Sequence, residues 1–134
     1  MKMTRKILIT AALLGLISII LGAFGAHGLK KLISEEAVQT FETGVKYQMY
    51  HALFLLFIAQ TNYLSDKMKR IIFYLVLVGV IFFSGSIYGL ATNNLSGFNF
   101  KSIGFITPIG GLLLILAWVF LLVAILRNYQ KNTI

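Results

Sequence analysis

The stretch ILITAALLGLISIILGAFGA, residues 7–26, decides the fold of this chain. It contains no Asp, Glu, Lys or Arg. A helix needs about 20 mostly apolar residues to cross a bilayer, so the stretch predicts one membrane span. Basic residues precede it and Ala23-Phe24-Gly25 resembles a cleavage box, a layout that signal peptides share. Because the apolar run is long for a signal core, we predict that this first span is retained.

Three further stretches lack acidic and basic residues: Tyr47 to Ser65, Ile71 to Phe100 and Ser102 to Leu126. Each is long enough for one span. Of the 134 residues, 58% are hydrophobic and 12% are charged, whereas a soluble domain would need a more charged surface. We therefore predict an all-α integral membrane protein with four transmembrane helices in a single domain, residues 1–134. The predicted spans are 7–26, 46–64, 71–92 and 108–127.

The distribution of Lys and Arg predicts how these spans are oriented. With the N-terminus inside, the inner side holds more basic residues than the outer side. The inner ones are Lys2, Arg5, Lys6, Lys67, Lys69, Arg70, Arg127 and Lys131, and the outer ones are Lys30, Lys31, Lys46 and Lys101. We therefore predict a multi-pass protein of the cell membrane with both termini in the cytoplasm. The same clustering between apolar runs argues against nucleic-acid binding, although the formal net charge is +8.

An amphipathic outer segment is predicted between the first two spans. Ser34 is a suitable N-cap, and Glu35 and Glu36 follow it where carboxylates suit the positive end of a helix. Apolar residues then recur at helical spacing as far as Val45. The pattern fits a helix lying at the outer surface that runs into the second span, with or without a bend. It fits a well-capped connector equally.

Small residues follow one stripe of the first span, at steps of three and four: Ala11, Gly15, Ser18, Gly22 and Gly25. In the third span Gly85 and Gly89 form a small-xxx-small pair. Such stripes let helix backbones approach closely in lipid. We predict helix–helix contacts at Gly15, Gly22, Gly85 and Gly89, with the first and third helices touching within one chain or between copies. Thr107 and Pro108 predict the N-cap and first position of the last helix.

Polar residues within the spans concentrate in the outer half. Polar groups in hydrocarbon need partners, and ionisable ones usually face the bundle interior or a cavity. Two interpretations stay open: these side chains hydrogen-bond one another and hold the helices in register, or they line an outward-facing pocket centred on His51. The candidate cluster is His27, Gln48, His51, Ser84, Tyr88, Asn93 and Thr107.

The residue types present argue against most site chemistry. There is no cysteine, so thiolate metal sites and cysteine nucleophiles are excluded. No spaced metal-ligand motif occurs, and no acid within a span is available to orient a Ser–His pair. Trp118 is interpreted as lipid-facing or as core packing. We predict no catalytic residue, no cofactor and no metal.

Four motifs occur in the same order here as in a small bacterial membrane family. They are GAFGAHGLK (22–30), FETGVKYQMYHALFLL (41–56), FSGSIYGL (83–90) and TPIGG (107–111). On these residues the chain resembles the domain of unknown function 423 family, whose members are also called UPF0382 membrane proteins. The resemblance covers nearly the whole chain and implies a four-helix integral membrane protein. It supplies no reaction, substrate or catalytic residue.

Three classes of function remain. The first is a non-catalytic binding or assembly protein that packs against itself or against another membrane protein, as the small-residue stripes suggest. The second is an oligomeric minimal transporter or channel for a small or lipid-like substrate, although no Asp, Glu, Lys or Arg lies deep in any span. The third, which we rank last, is a membrane-embedded enzyme that uses His27 and His51. The bilayer is the expected surrounding, with a homo-oligomer or a membrane-protein partner.

Overall fold

The computed structural model describes residues 2–97 and 99–133, with side chains to residue 128. Lys131, counted in the predicted orientation, therefore has no described side chain. The described residues are helices joined by short turns, with no strand among them. The α-helices are α1 (Lys2–Ala26), α2 (Glu35–Gln60), α3 (Asp66–Val80), α4 (Ser86–Ala91) and α5 (Ile106–Thr133). The turns that follow α1 and α4 include 3-10 segments at Leu29–Lys31, Asn93–Leu95 and Phe100–Ile103.

Helix α2 begins as predicted, because the Ser34 hydroxyl accepts a hydrogen bond from Ala37 N at 3.1 Å. It then continues without a break to Gln60. The amphipathic segment is thus the first part of α2 and not a separate helix. The second span was predicted to reach residue 64, which is too far, because Thr61 adopts an extended conformation that ends the helix.

The predicted third span is one helical stretch that contains a change of winding. Helix α3 passes into a π-helical turn, Ile81–Gly85, which passes directly into α4. Helix α5 crosses this region at very close range: a Cβ added at Gly79 would lie 3.3 Å from Gly110 O, and one added at Gly110 would lie 2.8 Å from Phe82 C. Backbone therefore meets backbone here, and Gly110 is a packing glycine that the sequence analysis missed.

The small-residue stripe of α1 packs against α2, whereas the sequence predicted the third helix as the partner of this stripe. Added Cβ atoms would lie 3.8 Å from Ala52 Cβ at Gly15 and 3.5 Å from Val45 Cγ1 at Gly22. Among these contacting pairs, a higher residue number on α1 goes with a lower residue number on α2, so the two helices run antiparallel. Helix α1 approaches α3 near its N-terminal end, where Lys6 Nζ donates to Tyr74 OH at 2.7 Å.

The two glycines predicted to pack in the third helix differ from each other. At Gly89 an added Cβ would lie 2.5 Å from Phe100 Cδ1, in the connection before α5. At Gly85 no heavy atom lies within 4 Å among the described residues. The predicted helix contact at Gly85 is therefore wrong within one chain, because this glycine lies on the exposed side of the π turn.

The helices are arranged with α2 and α3 in the middle and with α1 and α5 at the flanks. On α1 the residues facing α2 include Ala11, Ser18 and Gly25, whereas its exposed face is made of large aliphatic side chains such as Leu16 and Ile20. This is the reverse of a soluble helix. It fits a helix in lipid, where small residues permit close packing and hydrocarbon covers the large ones.

Three helical stretches are long and apolar enough to cross a membrane: residues 2–31, 66–91 and 106–128. Helix α2 is not among them. Lys46, Gln48 and His51 make α2 more polar than its neighbours, although Gln48 and His51 are both buried. The fold is therefore all-helical with three candidate spans, and α5 begins at Ile106, two residues ahead of the predicted first position at Pro108.

Candidate functional site

Gln48 joins three helices. Its Nε2 donates to Leu14 O on α1 at 2.9 Å, and its Oε1 accepts from Tyr88 OH on α4 at 2.6 Å. The Ser18 hydroxyl donates to the same Leu14 carbonyl at 2.7 Å. Only 4% of Gln48 is exposed, so these bonds replace the water that the amide would otherwise need. The amide thereby holds α1, α2 and α4 together.

A second contact joins α2 to the π turn. Ser84, which is 1% exposed, donates its hydroxyl to Gly44 O at 2.7 Å. Gly44 makes this approach possible, because a Cβ there would lie 2.7 Å from Tyr88 Cε1 and 3.0 Å from Ile87 Cγ2. A glycine, a buried serine and a tyrosine thus form one contact between the two central helices.

His51 joins α2 to α5. Its Nδ1 lies 2.7 Å from Tyr47 O, and its Nε2 accepts from Trp118 Nε1 at 3.2 Å. A carbonyl oxygen only accepts and an indole N–H only donates, so the proton resides on Nδ1. Both ring nitrogens are therefore occupied. The indole also packs on Phe54, with ring centroids 4.2 Å apart.

Another contact between helices pairs two hydroxyls. Ser86 donates to Phe83 O at 3.0 Å, and its oxygen lies 2.5 Å from Thr107 Oγ1. Because a hydroxyl has a single proton, Thr107 is the donor to Ser86. The Thr107 hydroxyl thus links α5 to α4, which corrects its predicted role as an N-cap.

Two of the predicted cluster residues lie elsewhere. His27 is exposed in the turn after α1, because the helix ends at Ala26. Asn93 Oδ1 accepts from Phe100 N at 2.8 Å and so shapes the connection to α5. The predicted cavity, with His27, His51 and Asn93 converging at the outer face, is not formed. The other five predicted residues, Gln48, His51, Ser84, Tyr88 and Thr107, take part in contacts between helices.

The space beside His51 is a side groove and not an outward-facing mouth. A volume of about 290 Å³ lies between α2, the π turn and α5, with Tyr47, His51, Phe83 and Trp118 among its lining residues. Among the described residues, every buried side-chain nitrogen or oxygen has a hydrogen-bond partner. In the same residues, no three His, Asp or Glu side chains group as metal ligands would. The arrangement can hold helices in register through its hydrogen bonds.

Sequence reasoning missed Trp118 and Gly44. Trp118 was interpreted as lipid-facing or packed, yet it does both and also donates to His51. The signal in the sequence was the indole N–H, because a tryptophan removed from water usually donates this N–H to an acceptor. Gly44 sits one turn before Gln48 on the polar face of α2, and that position favours close approach of a second helix.

The family described as "Protein of unknown function (DUF423)" matches residues 21–111. The chain is 38% identical over 128 residues to the UPF0382 membrane protein YwdK of Bacillus subtilis, covering 92% of this chain and 98% of that relative. It is 37% identical over 119 residues to a UPF0382 membrane protein of Haemophilus influenzae, covering 87% and 90%.

A third relative is the UPF0382 inner membrane protein YgdD of Escherichia coli, 35% identical over 133 residues, covering 96% of this chain and 95% of the relative. No solved structure matches the chain. The family match covers more than half of the chain, and these relatives align along nearly all of it. The chain therefore belongs to the DUF423 family of UPF0382 membrane proteins.

Proposed function

We propose that this chain is a non-catalytic membrane protein that acts by assembly, binding a second copy or another membrane protein through its helix faces. The observation that carries the proposal is the state of His51, whose two ring nitrogens are both occupied within the protein. A general base or a ligand-binding histidine needs a free nitrogen to meet its target. With both in use, the histidine serves the helix contact between α2 and α5.

In the proposal four helical stretches cross the membrane: α1, α2, the continuous stretch from α3 through α4, and α5. Helix α2 has 26 residues, about 39 Å at about 1.5 Å per residue, and it runs antiparallel to α1. Its buried polar residues face its neighbours, while Leu53 and Phe57 are exposed on the other face. Part of the low hydropathy of α2 comes from Gln48 and His51, which are buried against its neighbours. Its packing along such a length between two candidate spans supports a fourth span at α2.

Topology can be tested by labelling, because the chain lacks cysteine. Ser65 caps the start of α3, and Ser96 follows α4 at the opposite end of the same helical stretch. We expect an impermeant thiol reagent on intact cells to label a cysteine at position 96 and to spare one at position 65. The reverse pattern would place both termini outside, and equal labelling of both would contradict a spanning α3–α4.

Assembly would use the exposed aliphatic faces of the flanking helices. On α1 these include Leu13, Ile17 and Ile20, and on α5 they include Ile115 and Leu122. A transport pathway would instead require polar groups lining a wet passage, whereas the buried polar side chains in the described residues are paired. Lipid alone gives helices little hydrophobic drive to associate, so a specific partner must match these faces in shape.

A photo-crosslinking amino acid at Ile17 or Ile115 tests the assembly role in cells. We expect a discrete adduct, either with a second copy or with one membrane protein, from at least one of these exposed positions. Leu55 is fully buried and provides the matched control, from which no adduct with another protein is expected. Only lipid adducts from both exposed positions would overturn the assembly role.

A histidine comparison tests whether the polar network is structural. We expect His51→Ala to lower the free energy of unfolding in detergent by about 1 to 3 kcal/mol, because Trp118 loses its acceptor. His27→Ala is the matched control and should change nothing, since His27 is exposed. If His51→Ala unfolds at the same temperature as the parent protein, the network is not what holds these helices.

A further inference from the structure

A groove runs along the membrane-facing side of α3 next to α5. Its volume is about 440 Å³, and it is lined by Arg70, Ile71, Tyr74, Leu75, Val78 and Leu113. Arg70 is the charged member and lies near the start of α3, while the aliphatic members continue along the helix. From Arg70 to Val78 the groove extends for about 12 Å along the helix axis, at about 1.5 Å per residue.

A second cation lies beside the charged end of the groove. Lys6 Nζ donates to Tyr74 OH at 2.7 Å and lies 5.0 Å from the centroid of the same ring. Arg70 is one helical turn before Tyr74 and lines the same groove, so Lys6 is hydrogen-bonded to a tyrosine that lines the groove beside Arg70. An ammonium group has three donors and a guanidinium has five, and the tyrosine hydroxyl occupies one of them.

The charges at this end of the bundle are unbalanced. It holds the start of α1, the connection between α2 and α3, and the end of α5. Among the residues with described side chains, the basic ones there are Lys2, Arg5, Lys6, Lys67, Lys69, Arg70 and Arg127, and Asp66 is acidic. An anion at the groove would therefore meet a positive field in addition to the two nearest cations.

We propose that this groove binds an anionic glycerophospholipid, with its phosphate at Arg70 and Lys6 and an acyl chain along Leu75, Val78 and Leu113. Basic pockets between membrane helices are suited to anionic headgroups, and a guanidinium can bind a phosphate through two parallel hydrogen bonds. The aliphatic side chains of the groove begin next to Arg70 and continue away from it. This order matches a lipid, in which the acyl chains begin next to the charged headgroup. The site is independent of the proposed assembly role.

Binding of phosphatidylglycerol and phosphatidylcholine to the full chain in detergent, followed by native mass spectrometry, tests the site. We expect the parent protein to prefer phosphatidylglycerol by about fivefold or more, as one nearby basic residue would provide. Arg70→Gln should remove most of this preference. Arg127→Gln is the matched control, because Arg127 is exposed at the same end of the bundle and does not line the groove.

Val78→Trp tests the apolar part without changing charge. We expect it to weaken binding of phosphatidylglycerol by fivefold or more, and we expect free glycerol 3-phosphate to bind the parent protein far more weakly than the lipid does. Equal loss in Arg70→Gln and Arg127→Gln would show a diffuse charge effect and overturn the site. Unchanged binding in Val78→Trp would also overturn it, as would equal affinity for the two lipids. If Arg70→Gln does not fold, the Val78→Trp result decides.

Discussion

The two halves of the helix bundle are held together by different interactions. In the half nearer the chain termini the core consists of large apolar side chains, among them Leu55, Ile58, Ile72, Phe73 and Val76. In the half nearer the α1–α2 and α4–α5 connections, Gln48 and Ser84 join α2 to its neighbours through hydrogen bonds. We call these the apolar half and the polar half. Because lipid is as apolar as leucine, the apolar half gains from packing density, and the polar half supplies directional contacts that fix helix register.

The largest expected effect is in the apolar half. Phe73→Ala would leave a cavity where a ring is now fully buried. We expect a loss of about 3 to 5 kcal/mol in the free energy of unfolding, measured by reversible denaturation in detergent. Phe82→Ala, at a half-exposed position in the π turn, is the control and should cost far less. Equal losses would mean that detergent or lipid fills the cavity as well as the ring does.

The close crossing of α3 and α5 should be almost as sensitive. Gly110→Ala would place a methyl group against the backbone of Phe82 and Phe83, and we expect a loss of about 3 kcal/mol. Gly85→Ala is the matched control in the π turn, where no described atom lies within 4 Å of the added carbon. Its stability should be unchanged or slightly higher, because alanine favours helix over glycine. Thermal unfolding of the two variants side by side gives the answer, and equal melting temperatures would refute the crossing.

In the polar half, Ser84→Ala removes the hydroxyl that donates to Gly44 O. We expect a loss of about 1 kcal/mol, since the carbonyl keeps its place in the helix ladder. Ser102→Ala, whose exposed hydroxyl donates to Asn99 O in the connection before α5, provides a serine control that should cost less. If the Ser84→Ala variant is as stable as the parent protein, the hydrogen bond to Gly44 O does not stabilise the bundle.

A smaller effect is expected at the α2–α5 contact. Trp118→Phe keeps an aromatic ring on Phe54 and removes the N–H that donates to His51. Hydrogen bonds between membrane helices average about 0.6 kcal/mol, so we expect a loss of about that size. The loss caused by Trp118→Phe should nearly vanish in a protein that already carries His51→Ala. Unfolding of the two single variants and of the double variant measures this.

The sequence was most informative where one residue type dominates a long stretch. The apolar run at 7–26 predicted α1 to its last residue, Ala26, because an apolar run of this length is typical of a membrane helix. The N-cap bond of Ser34 was also predicted, because an N-cap depends only on residues next to it in the sequence. Both features are local, and local features can be read from one chain.

Features that depend on a partner helix were harder to predict. The residues around Gly85 and Gly110 in the sequence do not indicate which of the two glycines contacts another helix. In the structure it is Gly110. His27 and His51 were treated as a pair because they share a residue type and an approximate depth, yet α1 ends before His27 and leaves it exposed. The sequence carried no signal for the π turn at Ile81–Gly85, against which Gly110 of α5 packs closely.

The central claim is that hydrogen bonds between buried side chains hold the polar half together. The most direct measurement is a double-mutant cycle on Gln48 and Tyr88, whose side chains join α2 to α4 at 2.6 Å. Gln48→Leu, Tyr88→Phe and the double variant are compared with the parent protein by reversible unfolding in the same detergent. We predict a coupling free energy between about 0.6 and about 1.7 kcal/mol, the average and the maximum measured for hydrogen bonds between membrane helices. Strictly additive losses, with no coupling beyond experimental error, would contradict the account.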